Sequence, residues 1–369
     1  DKHIPRPGCT RSVELTPRHT LLHQNAMSMN ENSRSLYLDN LKLFLTVLVI
    51  FHHSGQAYTY GGGNWPYVMS NPDELLPNIW HFFNVNAAFF MGLFFFISGF
   101  FVPASYDRQG PATFIKKKLL RLGIPLVIMT ILLSMVVGKY EVGHMWFVES
   151  LLVFCLLYAV IRLLFKPVQT GQRRSPGLLA LAGAALVMGL GSHLIRQVSP
   201  QDNWIDLLGF IHIEPAHYLQ YVMMFIAGVL AYRGKWLDTI KNSTGITCLS
   251  IALALTVLEY TRYGWWWYDF VNRWYGFYDS IICITMNVGL LWLFSRFCNH
   301  TNRVLKWGAA QSYGAFVFHI LILLGLQYTF DKVWMGNVGK FLFLGTLTCI
   351  LSFGLTWLLR LIPGVKRVL

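Results

Sequence analysis

The residues most able to do chemistry lie between Asp39 and His53, DNLKLFLTVLVIFHH, where an acid, a base and two imidazoles interrupt an apolar run of membrane length. Charge is costly in hydrocarbon unless a partner or a watery cavity accepts it, so an ionisable residue in a span marks a functional site by default. At about 100° per residue, Lys42 and His53 are three turns plus roughly 20° apart, and Asp39 and Thr46 share their stripe. That stripe is expected to face protein rather than lipid. His52 points about 100° away from it. An imidazole titrates near neutral pH and suits general-base work when something orients it. Glu149, in GHMWFVESLLVFCLLY, is expected at the depth of His53 and in that orienting role; a structural Glu bonded to neighbouring helices is the plainer alternative.

A second group sits in FFFISGFFVPASYDRQGPATFIKKKLLRLGIP, residues 94 to 125, which ends one span and begins another. Lys118 and Arg121 are three apart and therefore neighbours on a helix, with Lys116 and Lys117 beside them. Several cations at a protein-lined mouth suit the phosphates of a cytosolic donor. Snorkelling anchors are the competing reading. His217 and His319 each sit alone in an apolar run, a pattern more typical of a hydrogen-bonded interior residue than of a catalyst. The stretch WWWYDFVNRWYGFY, Trp265–Tyr278, reads as an interfacial belt, or as a sugar-stacking platform beside Asp269 and Arg273. Trp146, His217, Tyr221, Asp269, Arg273 and His319 form the candidate acceptor-binding set.

The elements that must position these groups are membrane helices. The chain of 369 residues is 54% hydrophobic and only 13% charged, against about 25% charged in a soluble domain. Its mean hydropathy is +0.46. Ten runs are about long enough to span: Leu36–Tyr58, Trp80–Ala104, Leu119–Gly138, Met145–Phe165, Gly177–Leu194, Pro215–Tyr232, Gly245–Tyr260, Phe277–Phe297, Ala310–Tyr328 and Gly339–Ile362. The net charge of +13 would suggest nucleic acid for a soluble protein, but here the cations sort by loop. Of the 30 Lys and Arg, only Lys139, Arg196, Arg262, Arg273, Lys332 and Lys340 fall on one side and Lys42 lies in a span. The positive-inside rule therefore predicts an all-α polytopic protein with both termini in the cytoplasm.

Residues 1–26 are polar, contain prolines and precede Met27 and Met29, so they are expected to be an extraneous or disordered leader, with the transmembrane domain covering 27–369. The six cysteines include no CxxC pair, so neither a disulfide framework nor a zinc site is expected. Walker, GxSxG and strand-preceded GxGxxG motifs are absent. Gly61–Asn64, GGGN, reads as a flexible turn.

Together these segments resemble the integral-membrane acyltransferase 3 family, which includes polysaccharide O-acetyltransferases and glucan succinyltransferases. The resemblance runs from Leu36 to Leu361. It rests on LDNLKLFLTVLVIFHH, FFFISGFF followed by FIKKKLLRLGIP, HMWFVESLLVFCLLY, QYVMMFIAGVLAYRGKWL and SYGAFVFHILI. It implies about ten transmembrane helices and transfer of an acyl group, from cytosolic acyl-coenzyme A, to a hydroxyl of an extracytoplasmic glycan. The family's essential span histidine maps onto His53 and its basic partner onto Lys42, where Arg is usual; Lys keeps the charge but loses the planar fork. Its basic pair maps onto Lys118 and Arg121. Ser98 and Glu149 match further motif positions.

The sequence thus predicts a bacterial inner-membrane, multi-pass O-acyltransferase moving acetyl or succinyl. His53, Glu149, Lys42 and His52 are the candidate catalytic residues, and Lys116, Lys118, Arg121 and Ser98 the candidate donor site. No tightly bound cofactor or metal and no nucleic-acid partner is expected; the partners are acyl-CoA, a polysaccharide or glucan and the bilayer, with homo-oligomerisation left open. His53 serves as general base or, alternatively, as an acylated nucleophile. A passage is expected from the Lys118–Arg121 mouth past Lys42 to a polar chamber holding His53 and Glu149. The competing class is a transporter or proton-coupled channel using Asp39, Lys42, His53 and Glu149, against which stands the lack of evident inverted repeats.

Overall fold

A computed structural model describes residues 17–59, 65–67, 69, 75–76, 78–165, 173–261, 273–333 and 335–369, with backbone alone for 17–35. Ten long helices follow one another: α1 Pro17–Gln56, α2 Trp80–Gln109, α3 Pro111–Val137, α4 Trp146–Leu164, α5 Leu178–Val198, α6 Pro215–Gly234, α7 Asn242–Thr261, α8 Tyr275–Phe297, α9 Arg303–Thr329 and α10 Asn337–Leu359. The chain is an all-α polytopic membrane protein. Among the described residues nine helices are long and apolar enough to cross a bilayer. The sequence counts α6 as a further crossing; it spans 20 residues, but His217, Gln220 and Arg233 dilute its apolar character. α1 starts at Pro17, inside the segment expected to be an extraneous or disordered leader.

Two local features explain how the motifs fold. In FIKKKLLRLGIP, Pro125 offers no N–H to the carbonyl of Arg121, four residues back, and its ring crowds that turn. The helix answers by widening into a π turn over Leu119–Gly123, and the Tyr313 hydroxyl donates to the freed Arg121 carbonyl at 2.6 Å. In FFFISGFF and MMFIAGVL the glycines are packing devices. A Cβ on Gly99 would stand 2.2 Å from the Phe225 carbonyl oxygen, and one on Gly228 would stand 2.1 Å from that of Phe96, so α2 and α6 meet backbone to backbone.

The only sheet among the described residues is a hairpin, β1 Ile205–Leu207 with β2 Ile211–Ile213, paired antiparallel between α5 and α6. It lies at the end of the bundle opposite Lys116–Arg121, which we term the basic end. β2 buries Ile211 and Ile213 while β1 stays exposed. Trp204, just before β1, stacks on His212 at 4.9 Å and leans on Trp146 at 5.6 Å, so the hairpin roofs the bundle.

Candidate active site

Under the hairpin, α1, α2, α4 and α6, with Phe316 of α9, line an open chamber with a cavity volume of ≈ 200 Å³. Its lining includes His52, His53, His144, Trp146, His217 and Tyr221. Five of these six are candidates named from the sequence; His144 is not. His319, also a candidate, stands fully buried behind His53.

The hydrogen bonds assign the ring tautomers. His319 Nδ1 lies 2.6 Å from the Phe316 carbonyl, so it carries the proton, and Nε2 keeps a lone pair. His53 Nδ1 lies 3.1 Å from that Nε2 and 2.9 Å from the Val49 carbonyl. Both neighbours can only accept, so His53 Nδ1 is the protonated nitrogen. Among the described residues Nε2 of His53 has no hydrogen-bond partner and is left bare, on a ring that lines the chamber and is flanked by Trp65 at 5.9 Å. His144 Nε2 donates to the Val317 carbonyl at 3.0 Å, and its buried Nδ1 has no partner. His52 differs: its ring packs on Phe83 and Phe90, each at 4.9 Å, and its buried Nδ1 has no partner to fix it.

Glu149 does not orient His53. Its Oε2 instead accepts the backbone N–H of His212 at 2.9 Å, tying α4 to the hairpin, and it is not part of the chamber lining. The reason is local: an edge amide of β2 needs an acceptor, and a carboxylate in the first turn of α4 also complements the helix dipole. The orienting groups are the Val49 carbonyl and His319.

On the opposite wall His217 is held between two carboxylates, with Nδ1 2.8 Å from Glu214 and Nε2 3.2 Å from Asp279. Both nitrogens must donate, so the ring is an imidazolium with no lone pair. Arg196 completes the group at 2.5 Å from Asp279, its guanidinium 4.6 Å from the Tyr275 ring centre. Burial pushes the Glu214 carboxyl up, but the His217 charge and hydrogen bond, the Asp202 amide at 2.9 Å and Arg196 outweigh it and hold Glu214 below its ordinary 4.5. Asp202, also on the chamber wall, is raised by burial and then by the Glu214 charge.

Comparison with known proteins decides the class. A family model described as an acyltransferase domain matches residues 35–357. The chain belongs to the acyltransferase 3 family. It is similar to the protein named Glucans biosynthesis protein C in Escherichia coli strains UMN026, SMS-3-5 and HS. Each match is 25% identical over 319 residues, covering 75% of this chain and 77% of the relative. No solved structure matches. The protein is a membrane acyltransferase, and the transporter reading falls away.

The family's remaining motif residues lie away from the chamber. Lys42 is bound to Asp39 at 2.7 Å with its ammonium over Phe101, 11 residues and about 16 Å of helix from His53. Lys116 is exposed, Lys118 is half-buried with its ammonium over Phe114, Arg121 lies against the Tyr313 ring, and Ser98 is half-buried in α2. Between the chamber and the basic end, Phe94, Phe95, Phe147 and Phe316 pack ring on ring at 4.8 to 6.3 Å as a floor, of which Phe316 also lines the chamber. Arg273 lies in an adjoining vestibule rather than the chamber. Asp269 and Gly61–Asn64 are outside the described residues. Beyond His144, the sequence reading missed Asp202, Trp204 and Glu214; the polar turn and hairpin that carry them interrupt no span and left no periodic signal.

Proposed function

We propose that this acyltransferase moves an acetyl or succinyl group from cytosolic acyl-CoA to a hydroxyl of an extracytoplasmic glycan, in the inner membrane of a bacterium. The observation that carries the chemistry is the His319–His53–Val49 arrangement, which presents a bare, oriented Nε2 in a polar chamber. The acceptor O–H donates to His53 Nε2 as its oxygen attacks the thioester carbonyl. The C–O bond forms, the C–S bond breaks, and the departing thiolate takes the proton back from the imidazolium. The charged ring is stabilised through Nδ1–H, which the Val49 carbonyl and His319 share. That the relatives are named for glucan biosynthesis supports a glucan as acceptor.

In this reading the chain crosses the membrane ten times with both termini in the cytoplasm, which makes the basic end the donor side. Lys116, Lys118 and Arg121 hold the donor's phosphates, with Lys42 and Ser98 on the way inward. The four-ring floor opens for the pantetheine arm. The test uses purified protein in vesicles of known orientation with radiolabelled acetyl- or succinyl-CoA and a glucan. Label should pass to glucan only when acyl-CoA is on the side bearing Lys116–Arg121. Transfer with acyl-CoA on the other side alone contradicts the donor route, and no labelled glucan with either donor contradicts the substrate assignment.

A further inference from the structure

Beside the chamber, at the same end of the bundle, lies a second polar cleft that the transfer step above does not use. The two clefts abut: Phe83, Asn84, Gln201 and Asp202 line both. The second cleft is built from the start of α2, the end of α5 and the start of α8, with Trp80, Gln197 and Arg273 on its surface. Gly276 lets α8 close tightly on α5, since a Cβ there would stand 2.7 Å from the His193 backbone nitrogen. Arg196 also reaches it, but that guanidinium is committed to Asp279 and the Tyr275 ring.

We infer that this vestibule is a saccharide subsite, holding the sugar units next to the one whose hydroxyl reaches His53. This rests on the reading of the acceptor as a glycan. The argument is the chemistry of the lining. One N–H of Asn84 goes to Glu259 and one of Gln197 to the His193 carbonyl, but each side-chain amide also carries a second N–H and a carbonyl oxygen, as does that of Gln201, which matches hydroxyls that both donate and accept. An indole beside them matches the apolar face of a sugar ring. The contrast with a third groove on the same molecule decides against a lipid chain: that groove, lined by Phe44, Val47, Phe51, Phe82 and Phe341, is almost wholly apolar and suits hydrocarbon. A ligand rich in hydroxyls matches the vestibule, and the shared lining places such a ligand beside the chamber.

Gln197 and Arg273 are exposed, so Gln197→Ala with Arg273→Ala leaves the fold intact. The probes are glucose and a series of its linear oligomers. The double variant should raise KM for long oligomers roughly tenfold relative to KM for glucose, because each lost hydrogen bond weakens binding several-fold. KM for acyl-CoA should not change. An equal effect on glucose and long oligomers, or no effect on either, overturns the subsite and leaves acyl transfer to glycan standing. Binding of the same oligomers to donor-free protein in nanodiscs separates the two claims. Binding by the wild type that the double variant loses supports the subsite even if no label is transferred, and a wild type that binds no oligomer overturns it.

Discussion

Two histidines face the same chamber with opposite bonding. His53 is held by groups that only accept, a backbone carbonyl and a neutral imidazole, and keeps one nitrogen bare. His217 is held by two carboxylates and keeps none. His53 is half-buried and His217 buried, but both line the chamber, and what sets their bonding apart is the partners each ring is given. A ring with a bare nitrogen can take a proton from an acceptor hydroxyl. A ring clamped between Glu214 and Asp279 can only carry charge and hold α6 to α8.

The sharpest break of that comparison exchanges each ring for glutamine. His53→Gln should lower turnover on the order of 10²–10⁴-fold, the usual contribution of a general base, with thermal unfolding unchanged. His217→Gln should show the reverse emphasis, a lower melting temperature corresponding to about 3–5 kcal/mol, because Glu214 and Asp279 lose a buried counter-charge. Similar losses of turnover and stability in both variants would erase the distinction. A smaller effect is expected behind His53. His319→Phe removes the Nε2 acceptor and should lower turnover about tenfold, while His319→Gln, which can return an acceptor, should recover part of it.

At the basic end the effect should move from turnover to affinity. Lys118→Ala and Arg121→Ala should each raise KM for acyl-CoA several-fold, more so at low salt, whereas exposed Lys117→Ala should do little. Equal changes in all three would make the cluster a topology anchor. The smallest effect concerns the clamp. Because the folded state holds Glu214 below its ordinary 4.5, its contribution to stability is present above about pH 4.5 and is lost as pH falls through the lower folded value. Glu214→Gln should therefore flatten the acid limb of melting temperature against pH. An unchanged acid limb would show that the carboxylate is not held by His217.

How much of this was legible follows from the range of each contact. The spans were legible because a bilayer demands long apolar runs, and His53 because a polar group in such a run stands out. The stripe argument linked Lys42 to His53 on one face, which the helix supports, but about 16 Å of rise keeps them in different sites. Partners across the bundle carried no local signal. His319 lies 266 positions from His53, and Glu149 is drawn to His212 by a hairpin that no helical wheel contains. The π turn was readable in principle from Pro125, yet the hydroxyl that completes it comes from Tyr313, on α9.

The most direct test of the account is turnover of purified His53→Ala with and without added imidazole, measured beside His52→Ala. The chamber adjoins a polar vestibule, so a free imidazole should reach the space the lost ring leaves. The account predicts a deep loss of acyl transfer in His53→Ala, partial restoration that rises with imidazole concentration, and a much smaller loss in His52→Ala. Wild-type turnover in His53→Ala, with the loss appearing in His52→Ala instead, would contradict the assignment of His53 as the base.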